Sequence, residues 1–188
     1  MAHVTSPRPA TRPVRGPPTA TSPARVSTVE DVYATQVSWR IWAPRPAVYR
    51  ALLDPTMIVR WRAATGTHAQ VHTFEAREGG TFRISLTRHQ PAQAAAIAVP
   101  TGTYHGRFLR LVPDSQVIER LAFQTDDPPA AVTMTTTTTL SDAAAGATTV
   151  LVAHHGIPDA IPATETETAT RMTLAKLAEL VEKDQPLQ

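Results

Sequence analysis

The chain has 188 residues, 42% of them hydrophobic and 5% aromatic, with a formal charge of +2 and no cysteine. Set apart from a proline-rich leader, that is the length of one ordinary domain with a real core. The missing cysteines exclude disulfides and zinc–thiolate sites, and nothing in the composition demands an oxidising compartment.

The first 29 residues hold four arginines (Arg8, Arg12, Arg15, Arg25), six prolines and no acid. Such a stretch cannot bury enough apolar surface to offset chain entropy, so residues 1–29 are expected to be a disordered tail and residues 30–188 the domain. An organellar transit peptide would need an amphipathic helix, which the prolines forbid. The body is left with 14 basic against 16 acidic residues and no basic cluster, so no nucleic-acid partner is expected. Its longest apolar run, Ala94 to Val99, is far short of a membrane span. Arginine-, alanine- and proline-rich usage points to GC-rich bacterial coding, and with it to a soluble, cytoplasmic protein.

Order is expected from about Asp31. Tyr33, Thr35, Val37, Trp39 and Ile41 alternate with Ala34, Gln36, Ser38, Arg40 and Trp42, the period of a strand with one buried face. Ala47 to Leu53 reads as a short helix. Asp54-Pro55 then supplies an N-cap and first-turn proline for a second, carrying Met57, Ile58 and Trp61. Six further strands are read at Val71–Glu75, Thr81–Thr87, Thr103–Leu111, Gln116–Gln124, Val132–Leu140 and Thr148–His155. The alanine-studded stretch from Arg88 to Thr101 fits either a lid or a surface insertion. The last element is the one long helix, Ala163 to Lys183, whose Leu174, Leu177, Ala178 and Val181 recur at three- and four-residue steps. The class is α+β, a one-faced antiparallel sheet needing this helix to cover it.

The segments APRPAVYRALLDPTMIVRW, FEAREGGTFR, GTYHGRFLRLVP and HHGIP, in that order before a terminal helix, resemble the bacterial branch of the SRPBCC (START-like, Bet v 1-like helix-grip) superfamily. That branch is classed with the activator of Hsp90 ATPase homologue C-terminal domain. The resemblance covers about Val32 to Glu182 and implies a curved seven-stranded antiparallel sheet gripping the C-terminal helix, with a cavity between them. Two departures stand out: Trp61-Arg62 where relatives often have paired tryptophans, and Arg171-Met172 where many have Gly-Trp. Hsp90 activation is not implied, because the separate N-terminal chaperone-contacting domain of the eukaryotic activators has no counterpart here. A chaperone contact rests on the family label alone.

A turn at Val112 to Ser115 sets Phe108 opposite Glu119, Gly106 opposite Leu121 and Tyr104 opposite Phe123. That face turns to the helix, and His105, Arg107, Ile118 and Arg120 take the solvent side. Glu119 is then a lone carboxylate on the face turned to the helix, either paired with a neighbour or poised at a pocket, unless it sits near a strand end and simply meets an arginine or solvent. His154 and His155 adjoin on the last strand and point to opposite faces, His154 inward with Val150 and Val152. His68 and His72 share a face only if their strand starts early, and they lack a third ligand, so no metal is expected. The threonines from Thr135 to Thr139 read as a β-branched strand without special chemistry.

The expected cavity lining is Trp39, Tyr104, Phe108, Glu119, Leu121, Phe123, His154 and Met172, although core packing is the better reading for the tryptophans Trp39 and Trp61. No nucleophile motif or phosphate loop is present and no cofactor is expected, so an enzyme would have to use acid–base chemistry from Glu119, His154 or Tyr104. The favoured function is binding of a small apolar, aromatic or polycyclic molecule. A cyclase- or hydrolase-like enzyme is the alternative, and a chaperone-associated interaction protein is the third reading.

Overall fold

The computed structural model describes residues 33–63, 66–88, 102–123, 133–157 and 162–184. The arginine-rich tail and the lid or insertion expected between Arg88 and Thr101 lie outside them. The elements are β1 (Tyr33–Ile41), α1 (Arg45–Leu53), α2 (Pro55–Trp61), β2 (Thr67–Phe74), β3 (Thr81–Arg88), β4 (Gly102–Val112), β5 (Gln116–Phe123), β6 (Thr133–Asp142), β7 (Thr148–His155) and α3 (Ala163–Lys183). The strands form one antiparallel sheet ordered β1-β7-β6-β5-β4-β3-β2, the curved sheet of a helix-grip fold.

Local chemistry places the short helices. Asp54 accepts the Thr56 N–H at 2.8 Å, capping α2, while Pro55 occupies the first turn, where its missing N–H costs nothing. Helix α1 buries Ala47, Val48, Ala51 and Leu52, and the Trp61 indole of α2 donates to the Ala51 carbonyl at 2.9 Å. The indole can therefore be buried with its polar handle satisfied. At the sheet's centre the β4–β5 register pairs Tyr104 with Phe123, Gly106 with Leu121 and Phe108 with Glu119, as the turn position requires. Strand β2 begins at Thr67, earlier than its hydrophobic pattern indicates, and an irregularity between Val71 and Thr73 interrupts its pairing.

Helix α3 approaches the sheet most closely at β1 and also packs on α2 and α1. Its buried residues are Leu174, Leu177, Ala178, Leu180 and Val181, all in the C-terminal half. The N-terminal half presents Thr166, Ala169, Thr170 and Thr173 instead. Helical periodicity fixes which face meets the sheet, whereas side-chain size decides how far into the gap that face reaches.

Leu177 is fully buried at the centre of the filled half. Its replacement by alanine is expected to lower unfolding free energy by about 2 to 5 kcal/mol in denaturant melts. Glu179 is exposed and pairs with Lys183 one turn on, so Glu179→Ala should stay within about 0.5 kcal/mol. Equal losses at the two positions would show that the helical phase is wrong.

Candidate functional site

A cavity of about 250 Å³, partly open to solvent, lies under the N-terminal half of α3. Its floor is the inner face of β4 to β7, with Tyr104, Val117, Glu119, Leu121, Phe123, Met134, Thr136, Thr138, Val152 and His154. Leu52, Trp61 and Arg62 close one side, and Thr166, Ala169, Thr170, Met172 and Thr173 form the roof. The roof is less polar than its sequence. Thr170 Oγ1 donates to the Thr166 carbonyl at 2.7 Å and Thr173 Oγ1 to the Ala169 carbonyl at 2.8 Å, which commits both hydroxyls to the helix's own backbone.

Six of the eight residues expected at a cavity are brought together there: Tyr104, Glu119, Leu121, Phe123, His154 and Met172. Trp39 and Phe108 stand elsewhere. Trp39 lies on β1 opposite Val150, half-buried against the main core at the edge strand that α3 approaches most closely. Phe108 is fully buried in an aromatic cluster, 5.4 Å from Phe74 edge-on and 5.2 Å from Phe82. That cluster depends on Gly106, because a Cβ there would collide with the Phe82 ring and the Arg120 carbonyl. Both residues face the core, as strand alternation expects, but alternation says nothing about what fills the space above that face. Arg171, next to Met172, is exposed and off the cavity wall.

The polar centre is an ion pair whose second member the sequence left unassigned. Arg62 Nη2 lies 2.7 Å from Glu119 Oε1, with both side chains largely buried. The guanidinium also sits 5.1 Å from the Trp61 ring and 5.9 Å from the Phe82 ring. Planar Arg62 therefore fills an aromatic slot while carrying charge to Glu119. Burial works against that charge, but the Glu119 carboxylate and the Tyr104 phenol more than offset it, holding Arg62 above its ordinary value. Tyr104 is itself pushed up, chiefly by burial, and stays a neutral phenol. The sequence signal for the pair was the pattern break at Arg62 together with the demand of a buried carboxylate for a cation. Their separation of 57 positions along the chain hides the contact.

Two threonines of the β-branched strand β6 also line the cavity. Thr136 pairs directly with Glu119 across β5 and β6, and Thr138 shares its face. His154 Nδ1 is 2.9 Å from Thr35 Oγ1, which leaves Nε2 uncommitted by that bond. Burial, and secondarily the neighbouring His155, lower the His154 pKa to about 4. The ring facing the cavity is thus neutral at pH 7. Among the described residues no group of three potential ligands could hold a metal, and His72 is tied to Ser85 at 2.8 Å. No described helix is long and apolar enough to cross a membrane.

Two predictions come from this geometry. Arg62→Met leaves Glu119 buried and unpaired and should cost about 3 to 5 kcal/mol, whereas Arg62→Met with Glu119→Leu should recover most of that loss in the same unfolding assay. For His154 the folded-state pKa lies below the ordinary 6.5, so the unfolded chain takes up the proton first. Its contribution is complete above about pH 6.5 and is lost as pH falls toward 4, in total about 3 kcal/mol. Asp54, Glu75 and Glu179 are held below their ordinary range by hydrogen bonds from Thr56, Thr81 and Lys183, so they titrate lower. Melts at pH 7 and pH 5 should show the wild type losing more stability than His154→Gln; parallel losses would refute the assignment.

A family model described as Activator of Hsp90 ATPase homolog 1-like protein matches residues 42–182. A comparison with curated proteins finds no match. Among solved structures, a Chromobacterium violaceum protein is 31% identical, with a TM-score of 0.68, covering 80% of this chain and 97% of its own. A Staphylococcus epidermidis protein is 17% identical with a TM-score of 0.65, covering 81% of this chain and 92% of its own. An AHSA1 protein from Silicibacter pomeroyi is 14% identical with a TM-score of 0.62, covering 80% of this chain and 100% of its own. These last two share the fold alone. Sequence match, strand order and gripped helix agree: the chain belongs to the activator of Hsp90 ATPase homolog 1-like family, within the START-like (SRPBCC) superfamily.

Proposed function

We propose that the protein binds a small, largely apolar aromatic molecule in the cavity between the sheet and α3. The observation that carries this reading is a well-formed apolar space with few convergent polar groups, the Arg62–Glu119 pair, the Tyr104 phenol and neutral His154. Apolar walls of this kind gain most by covering apolar ligand surface, and the few polar groups set orientation. Size narrows the choice. About 250 Å³ falls below the roughly 300 to 1,000 Å³ of pockets for drug-sized ligands, which favours one or two rings over a polycyclic molecule.

Isothermal titration of the full chain with uncharged one- and two-ring aromatics should give saturable one-to-one binding. Ala169→Trp, which fills the space from the threonine half of α3 without touching the leucine half, should abolish it while the far-UV spectrum stays unchanged. A folded blocked variant that binds as well as wild type, or a wild type that binds none of the series, overturns the reading. Turnover of a bound compound would instead favour the acid–base alternative.

A further inference from the structure

The Glu119 carboxylate is bound on one side only. Oε1 accepts from Arg62, whereas Oε2 is buried and has no hydrogen-bond partner among the described residues. Glu119 is 5% exposed and lines the cavity. A buried carboxylate oxygen without a donor is costly, no described residue supplies that donor, and Glu119 itself lines the cavity, so a donor group on an occupant can satisfy the carboxylate once the side chain turns that oxygen into the space.

Charge restricts the occupant further. Arg62 and Glu119 cancel each other, and a ligand bearing net charge would enter an apolar space with no free counter-charge beside the orphaned oxygen. An anion would also meet the carboxylate directly. Lys176, on the same wall, has its ammonium on the Ala63 carbonyl, and Glu165, also on the wall, lies in the exposed first turn of α3.

Resting on the binding function proposed above, we infer that the cavity selects an uncharged aromatic bearing a hydroxyl or N–H that donates to the Glu119 carboxylate, and discriminates against aromatic carboxylates and donor-free analogues. The specificity is that of an acceptor looking for a single proton. Arg62 fixes the carboxylate, and the ligand completes its hydrogen bonding.

The test uses the full chain at pH 7 and three probes, 2-naphthol, 2-methoxynaphthalene and 2-naphthoate, with dissociation constants from titration calorimetry. The first should bind about tenfold tighter than the second, as expected for one hydrogen bond to a charged acceptor, and the third should bind weakest. In Glu119→Gln the amide oxygen can keep Arg62 while the amide N–H₂ faces the cavity, so the preference for 2-naphthol should shrink or invert. Equal binding of 2-naphthol and 2-methoxynaphthalene to wild type overturns the inference but leaves the apolar-ligand function standing. So does tightest binding by 2-naphthoate. Binding of none of the three removes both. The wild-type comparison needs no variant, so it decides the matter even where Glu119→Gln does not fold.

Discussion

The structure turns on how unevenly α3 fills the space beneath it. A one-faced antiparallel sheet has to be covered, and the terminal helix is the long apolar stripe available in the described chain. Its C-terminal half brings Leu177, Leu180 and Val181 down into the core, and Leu174, also buried, borders the cavity. The N-terminal half has the same helical geometry but ends in threonine and alanine, whose short side chains do not span the same gap. One element therefore serves as core and as cavity roof, and the change comes within about a turn, between Thr173 and Leu174. Dense packing at one end allows the other to remain open, since the leucine half carries the helix's buried side chains.

The charged pair belongs to this arrangement. Arg62 follows Trp61 at the end of α2, and its guanidinium lies over the Trp61 and Phe82 rings. A flat cation can replace an aromatic ring in such a slot and also bring hydrogen-bond donors, which a ring cannot. Glu119 on β5 is the consequence. Either residue alone would be a buried charge; together they form a fixed, neutral, polar feature on an apolar floor. Tyr104 extends it, linking the ion pair to the Phe74–Phe82–Phe108 cluster through its edge-on contact with Phe82 at 6.3 Å.

What the sequence revealed follows the range of the interactions involved. Strand alternation, the β4–β5 register and the α3 phase are set by neighbours a few residues apart, and these were readable. So was the inward direction of Glu119 and His154. Depth was not. Trp39 and Phe108 face inward as expected, yet one is covered by the main core and the other by a phenylalanine cluster assembled from β2, β3 and β4. Arg62 was visible only as a departure from pattern, because its partner arrives through tertiary contact. The start of β2 was missed for a related reason: Thr67 to Gln70 carry little hydrophobic signal, and their pairing with β3 makes them a strand.

Threonine shows most clearly why composition misleads here. In β6 and in α3 the same residue reads as polar in the sequence and as small, β-branched wall in the fold. On the helix the hydroxyls return to carbonyls four residues back, so Thr170 and Thr173 cap the cavity without adding free polar groups. On β6, Thr136 and Thr138 are buried beside Glu119 and Val117, where branched side chains suit a pleated surface. The result is a chamber whose size comes from threonine and alanine and whose polarity is concentrated at Glu119, Arg62, Tyr104 and His154. For the binding function proposed, a ligand's bulk would be set by α3 and its hydrogen-bonding group by the Glu119 carboxylate.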